Sequence, residues 1–231
     1  MIKAAVFDLD HTLFDRYETL KKVVPMFREK YEISKGITDE YFAKEFIYAD
    51  KQYVHFGWEK ILDHLVSCGI FVSPPDINDY TEFLLSCFTK VAVPFPFAKK
   101  TLETLRKNGI KTGLITNGRH EVQEQKLEML GLLNSFDEIL ISGDFDFKKP
   151  DVRIFKEAAK RLLVDTSEMM YVGDHPLFDV EGSRKAGCVP VWVMTTGTWV
   201  YPEIEKPELR VNTVEEIPAI IEKINGVKFK E

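Results

Sequence analysis

Asp8 and Asp10, in the segment FDLDHT, place two carboxylates two residues apart just after a short apolar run. Open α/β sheets hold their ligands at the C-terminal ends of strands, which is where this pair stands. Side chains at i and i+2 point to one side of a regular strand, where the two acids would crowd together; a turn beginning at Leu9 can instead fan them around one centre. Close carboxylates take up a cation or share a proton. A DxD pair on its own is equally well a polar strand end, so the remaining polar residues decide. Thr116, Asn117 and Gly118 follow KTGLI. A hydroxyl with backbone N–H groups at a helix start suits phosphate oxygens, as it also suits an ordinary N-cap. Lys149, before Pro150, offers a compact positive charge to a phosphate and to a neighbouring carboxylate, although most such lysines are merely solvated. Asp174 follows YVG, and GDHPLFD carries Asp179 onto the next helix, giving oxygen atoms suited to Mg2+ or to holding its ligands in place. Each of these groups ends a different predicted strand, so all of them converge on one sheet edge.

The elements that must position them alternate along the chain. Apolar or β-branched runs (IKAAVF, KTGLIT, FDEILIS, MMYVG and VPVWVM) are each followed by an amphipathic stretch, the alternation of a parallel α/β sheet. In HEVQEQKLEMLGLL, Val122, Leu127, Leu130 and Leu133 fall near one helical stripe; in DVRIFKEAAKRLL, Ile154, Phe155, Ala158 and Leu162 do the same. Between Asp15 and Pro94 the rhythm breaks for about eighty residues, where a βα connection usually takes two to six. That segment must fold by itself. Its patterns are helical (YETLKKVVPMFREKY, DEYFAKEFIYADKQYV, GWEKILDHLVSCG, DINDYTEFLLSCFTKV), which predicts a small four-helix unit inserted after the first strand.

In order, DLDHT, ITNG, KKP and GDHPLFD resemble the four signatures of the haloacid dehalogenase-like hydrolase superfamily, and the insertion resembles that family's first type of cap. The resemblance implies a Rossmann-like parallel α/β core, residues 1–15 and 94–231, with a helical-bundle cap over residues 16–93. It implies a phosphatase acting on a small phosphorylated metabolite through an aspartyl phosphate; the expectation that the protein is cytoplasmic rests instead on the sequence, which shows neither an apolar leader nor a membrane span. Carried over position by position, Asp8 is the nucleophile. Asp8, Asp174 and the backbone carbonyl of Asp10 hold Mg2+, with Asp179 behind them. Asp10 is acid and then base, and Thr116, Asn117, Gly118 and Lys149 bind the phosphoryl group. His11 stands where many relatives have Gly and takes no catalytic role. The chemistry asks for such a set, because a carboxylate attacking phosphorus needs a metal and positioned donors to offset the developing charge.

Some other chemistries on the same fold fit less well. A 2-haloacid dehalogenase normally lacks the second aspartate, and no cap lysine stands out for phosphonate cleavage. A phosphomutase fits equally well on this count, since it would keep Asp10 and differ only in returning the phosphate to a rebound intermediate; the sequence separates it poorly, and release of free phosphate discriminates. A non-catalytic binding module has no need of the complete set of acids, Thr and Lys.

Composition sets the frame. The 231 residues are 45% hydrophobic and 29% charged, as in a folded globular chain of one or two domains. The net charge of −6 argues against partnership with nucleic acid or anionic membrane. MIKAAVFDLD lacks an apolar leader, and no run of about eighteen apolar residues marks a membrane span. A monomer or homodimer is expected. Cys68, Cys87 and Cys188 fit neither a disulfide framework nor a CxxC metal site and read as buried small hydrophobes. Arg119, His120 and Gln123, with Gln125, Lys126 and Leu127, resemble a family subset bearing TNG…Q…KL, yet surface polarity explains them equally well. His175, beside Asp174, could touch substrate or a water, but it reads first as an ordinary polar loop residue and takes no catalytic role. Phe42, Phe46, Tyr48, Tyr53, Phe56 and Trp58 read as cap core before substrate lining.

Overall fold

The computed structural model describes residues 1–196, 199 and 201–230, and the chain divides into two compact units, Met1–Phe14 with Pro94–Glu231, and Asp15–Val93. In the first, β1 (Ala4–Phe7) is followed, after the insertion, by α5 (Ala98–Lys107), β2 (Lys111–Thr116), α6 (His120–Met129), β3 (Glu138–Ile141) and α7 (Val152–Arg161). Then come β4 (Met169–Gly173), a π-type turn at Pro176–Glu181 running into α8 (Gly182–Lys185), β5 (Val189–Val193), β6 (Leu209–Val211) and α9 (Ile217–Asn225). Among the described residues the strands form one six-stranded parallel sheet in the order β3-β2-β1-β4-β5-β6. This is the α/β architecture expected from the alternating runs.

A parallel sheet covered on both faces hides every residue of its central strands, which is why AAVF and MMYVG are apolar throughout and buried throughout. Ala4 and Val6 point into a cluster with Ile154, Phe155, Ala158 and Leu162 of and just beyond α7, the stripe read from the sequence. Strand order reverses between β1 and β4, and the crevice at such a switch point opens beyond the carboxyl ends of these two strands. Asp8 and Asp174 are the residues immediately after them.

Three elements were not foreseen. β6 is a three-residue edge strand, and α5 buries Ala98, Thr101, Leu102 and Leu105, a stripe half made of small residues. α9 closes the chain, burying Ile217 and Ile221. One expectation needs correction: α6 stops at Met129, because Gly131 turns the chain in the left-handed conformation at φ 67°. Leu133 therefore lies outside that helix, and the helix buries Gln123, Lys126 and Leu127.

The second unit contains, among the described residues, four longer helices: α1 (Arg16–Lys30), α2 (Asp39–Tyr53), α3 (Trp58–Ser67) and α4 (Ile77–Val91). Asp15, Thr38 and Asp76 cap the first, second and fourth, each accepting from a backbone N–H of the first turn. Aromatic rings make the core. Phe27 meets Phe42, Phe46, Tyr80 and Phe83 with centroids 6.0, 5.5, 5.7 and 5.1 Å away. Phe42 and Phe46 are thus core residues, whereas Tyr48 and Phe56 are exposed. Beside them Arg16 donates to both carboxylate oxygens of Asp50, at 2.7 Å to Oδ1 and 2.9 Å to Oδ2, both residues being buried, and its guanidinium lies 4.7 Å from the Phe88 ring. No helix among the described residues is long and apolar enough to cross a membrane.

Candidate active site

The turn after β1 begins as Leu9 accepts backbone N–H bonds from Leu13 and Phe14, and His11 takes φ 62° within it. A left-handed position explains why glycine suits this place and why a β-branched residue would not. The turn separates the two acids. Asp8 is buried, while the Asp10 side chain keeps 27% of its surface open.

Asp8, Asp174 and Asp179 each bring a carboxylate oxygen within 4.8 Å of the other two. Lys149, 3% exposed, enters this group: its Nζ donates to Asp8, to Asp179 at 2.7 Å and to the Tyr171 hydroxyl at 3.0 Å. Three buried acids face one buried ammonium. Burial pushes the Asp8 carboxyl up to about 7; Lys149 pulls it down, and Asp179 and Asp10 push it further up. Burial, with Asp179 and Asp8 beside it, raises Asp174 well above the usual carboxylate range. Burial alone would lower Lys149, but Asp179 and Asp8 outweigh it and hold the ammonium well above its ordinary value. Among the group, Asp179 has both oxygens engaged by the protein: Oδ1 by Lys149 and Oδ2 by the His175 backbone N–H at 2.9 Å. It can come so close because Gly173 has no side chain; a Cβ there would lie 2.4 Å from the Asp179 carboxyl carbon. The Asp174 backbone carbonyl accepts from the Trp192 indole at 2.9 Å, which fixes the turn that carries its carboxylate.

Thr116 is buried at the end of β2. Asn117 does not point at the acids; its amide clasps the Lys149 main chain in both directions, accepting from Lys149 N at 3.0 Å and donating to Lys149 O at 3.1 Å. Gly118 is exposed, and its N–H donates to Ser142 Oγ at 3.0 Å. Its φ of 152° and the Gln123 side chain 3.0 Å from a Cβ built there leave room for glycine alone.

Of the residues that surface polarity would explain, Arg119 and Gln125 are indeed exposed, but Gln123 and Lys126 are buried. Lys126, 2% exposed, donates to both oxygens of Asp10, at 2.9 and 2.8 Å, and sits 4.6 Å from the Phe14 ring. Gln123, also buried, donates to Thr116 Oγ1 and to the Asn117 carbonyl. Their i, i+3 spacing on α6 puts both on the face turned to the sheet edge. The TNG…Q…KL resemblance was the available signal. His175 caps the π-type turn, its Nδ1 accepting from Leu177 N and Phe178 N. Tyr171 had no signal beyond lying in a buried strand; its hydroxyl donates to the Ile115 carbonyl at 3.2 Å and accepts from Lys149.

The model of the haloacid dehalogenase-like hydrolase family matches residues 5–193. Over 99% of its length the chain is 28% identical to the glyceraldehyde 3-phosphate phosphatase of Methanocaldococcus jannaschii, of which it covers 99%. The crystal structure of a HAD phosphatase from Thermococcus onnurineus matches with a TM-score of 0.62 and 27% identity, covering 95% of this chain and 98% of that one. The L-2-haloacid dehalogenase of Xanthobacter autotrophicus, solved with chloropropionic acid covalently bound, shares the fold with a TM-score of 0.71 at 20% identity over 96% and 98% of the two chains.

Proposed function

The chain belongs to the haloacid dehalogenase-like hydrolase family, and from that premise we propose a Mg2+-dependent phosphatase that frees phosphate from a small phosphorylated metabolite through an aspartyl phosphate on Asp8. The observation that carries this reading is the meeting of three buried carboxylates with a single buried ammonium at the end of the sheet. Such a set lacks positive charge, and hard carboxylate oxygens are what Mg2+ takes. The Asp8 and Asp174 carboxylates and the Asp10 backbone carbonyl would hold the cation, with Asp179 anchoring Lys149 and the His175 turn behind them. A cation bound there supplies the charge that lets Asp8 ionise in its buried place and offsets the charge on the transferring phosphoryl oxygens.

In the first step an Asp8 oxygen bonds to phosphorus while the bond to the leaving oxygen breaks, and Asp10 gives that oxygen a proton. In the second, Asp10 takes a proton from water, the water oxygen bonds to phosphorus, and the Asp8 carboxylate and inorganic phosphate separate. One group can serve both steps only if it is near the reacting atoms without being consumed by the cation. The hold of Lys126 on the Asp10 side chain suits that duty. Gln123 donates into the Thr116 oxygen, so the Thr116 hydroxyl proton is available to a phosphoryl oxygen.

The named relative makes a three-carbon sugar phosphate the first substrate to try. The test is phosphate release from a panel of glyceraldehyde 3-phosphate, other sugar phosphates, nucleoside monophosphates and phosphoglycolate, with Mg2+ present and Asp8→Asn alongside. Release by the native enzyme and none by the variant is expected. Silence across the panel, or undiminished release by the variant, would overturn the proposal; free phosphate as product also separates hydrolysis from mutase chemistry.

A further inference from the structure

His64 and Cys68 are four residues apart at the end of α3, a spacing that stacks two side chains on one helix face. Glu45, on α2, faces both. The Glu45 Oε2 to His64 Nε2 distance is 3.0 Å, Cys68 Sγ to His64 Nε2 3.4 Å and Cys68 Sγ to Glu45 Oε2 3.5 Å. Cys68 is only partly buried, unlike Cys87 and Cys188, so the expectation of three buried thiols fails at this one.

Hydrogen bonding alone leaves this triangle short of protons. The thiol has one and His64 Nε2 has at most one, yet there are three contacts to fill. Donation from His64 to Glu45 and from Cys68 to Glu45 uses both, and the sulfur–nitrogen edge is left with none. A cation at the centre satisfies all three edges together. Tetrahedral zinc bonds of about 2.0 Å to oxygen, 2.0–2.1 Å to nitrogen and 2.3 Å to sulfur set ligand atoms roughly 3.3–3.6 Å apart, close to the observed triangle. The Tyr41 side chain lies near the Cys68 sulfur, outside the triangle. His64 and Glu45 side chains are 17% and 15% exposed, so an ion and a water can reach the triangle.

We propose that Glu45, His64 and Cys68 form a second metal site, wholly within the helical unit, that takes a borderline transition ion such as Zn2+ or Co2+ and leaves one position for water. Nitrogen and sulfur donors separate it from the all-carboxylate set at the sheet edge, which suits Mg2+. Binding replaces the Cys68 S–H bond by a sulfur–metal bond and releases that proton to solvent. The ion clamps α2 to α3, so it acts on the stability of this unit.

The probe is Co2+ added to the full-length, chelator-stripped protein. A sulfur-to-cobalt charge-transfer band that saturates at one equivalent is expected, accompanied by a rise in melting temperature. The band should vanish in Cys68→Ser, fall at least tenfold in apparent affinity in His64→Ala, and persist in Asp8→Asn, which keeps all three residues. Absence of the band in the native protein overturns the proposal whatever the variants do. Survival of the band in Cys68→Ser overturns it too, since the thiolate would then be Cys87 or Cys188. Because the readout is an absorption band of this sulfur, its outcome is independent of any phosphatase activity.

Discussion

Asp8→Asn separates the acid cluster's electrostatics from its chemistry. In the metal-free protein burial raises the Asp8 carboxyl from 3.8 to about 7, with Lys149 opposing and outweighed. The folded state therefore holds a proton that the unfolded chain gives up. Below about pH 4 both states are protonated and Asp8 costs nothing. As pH climbs from 3.8 to about 7 the unfolded chain gains, and stability falls through that window before levelling above it. A displacement of roughly three pH units corresponds to on the order of 4 kcal/mol. Asparagine has the shape of the neutral acid and never ionises. In EDTA at pH 8, Asp8→Asn should be more stable than the native protein by up to that amount, roughly 8–16 °C in melting temperature for a chain of this size. At pH 4 the two should coincide. Mg2+ at 100 times its dissociation constant should return about 2.7 kcal/mol to the native protein and much less to the variant. Urea denaturation across pH 4–8, with and without Mg2+, measures all of this. Equal stability at pH 8, or a less stable variant, would mean that Lys149 already compensates Asp8 and that the cluster has no call for a cation.

Lys126→Met should lower kcat roughly ten- to a hundredfold with little change in KM, because it frees the Asp10 side chain without touching the phosphoryl donors. Lys126→Arg should recover part of the loss; an unchanged kcat in the methionine variant would refute the positioning role. Asp50→Ala leaves the Arg16 guanidinium buried without its carboxylate and should cost about 3–5 kcal/mol by denaturant titration. The double variant Arg16→Met with Asp50→Leu should recover most of that, and equal losses in the two would show that packing alone is being measured.

The sheet was legible because buried parallel strands write themselves as apolar runs, and the inserted helices because each runs for ten residues or more. Leu209–Val211 is too short to leave a pattern, and the Thr101 and Ala98 face of α5 does not score as apolar. At the site, Asp8, Thr116 and Asp174 were visible as chemistry at strand ends, whereas Lys149 lies eight residues beyond β3, in the turn before α7, and was visible only through the KKP segment. Gln123 and Lys126 were not, since a periodicity count assigns buried amide and ammonium groups to the solvent face; only knowing that Asp10 lay opposite would reverse the assignment. Arg16 with Asp50, and Glu45 with His64 and Cys68, are separated by 34, 19 and 23 positions, and side-chain pairs at that range carry no local signature.

The clasp between Asn117 and the Lys149 main chain has a mechanical consequence. Two antiparallel rungs stitch the turn after β2 to the turn before α7, so the hydroxyl of Thr116 and the ammonium of Lys149 ride on a single rigid bracket. Neither can yield to an incoming anion without dragging the other. In the proposed reaction, grip on the phosphoryl group would then be all-or-none, and residues elsewhere would be at liberty to change what is attached to it without slackening that grip.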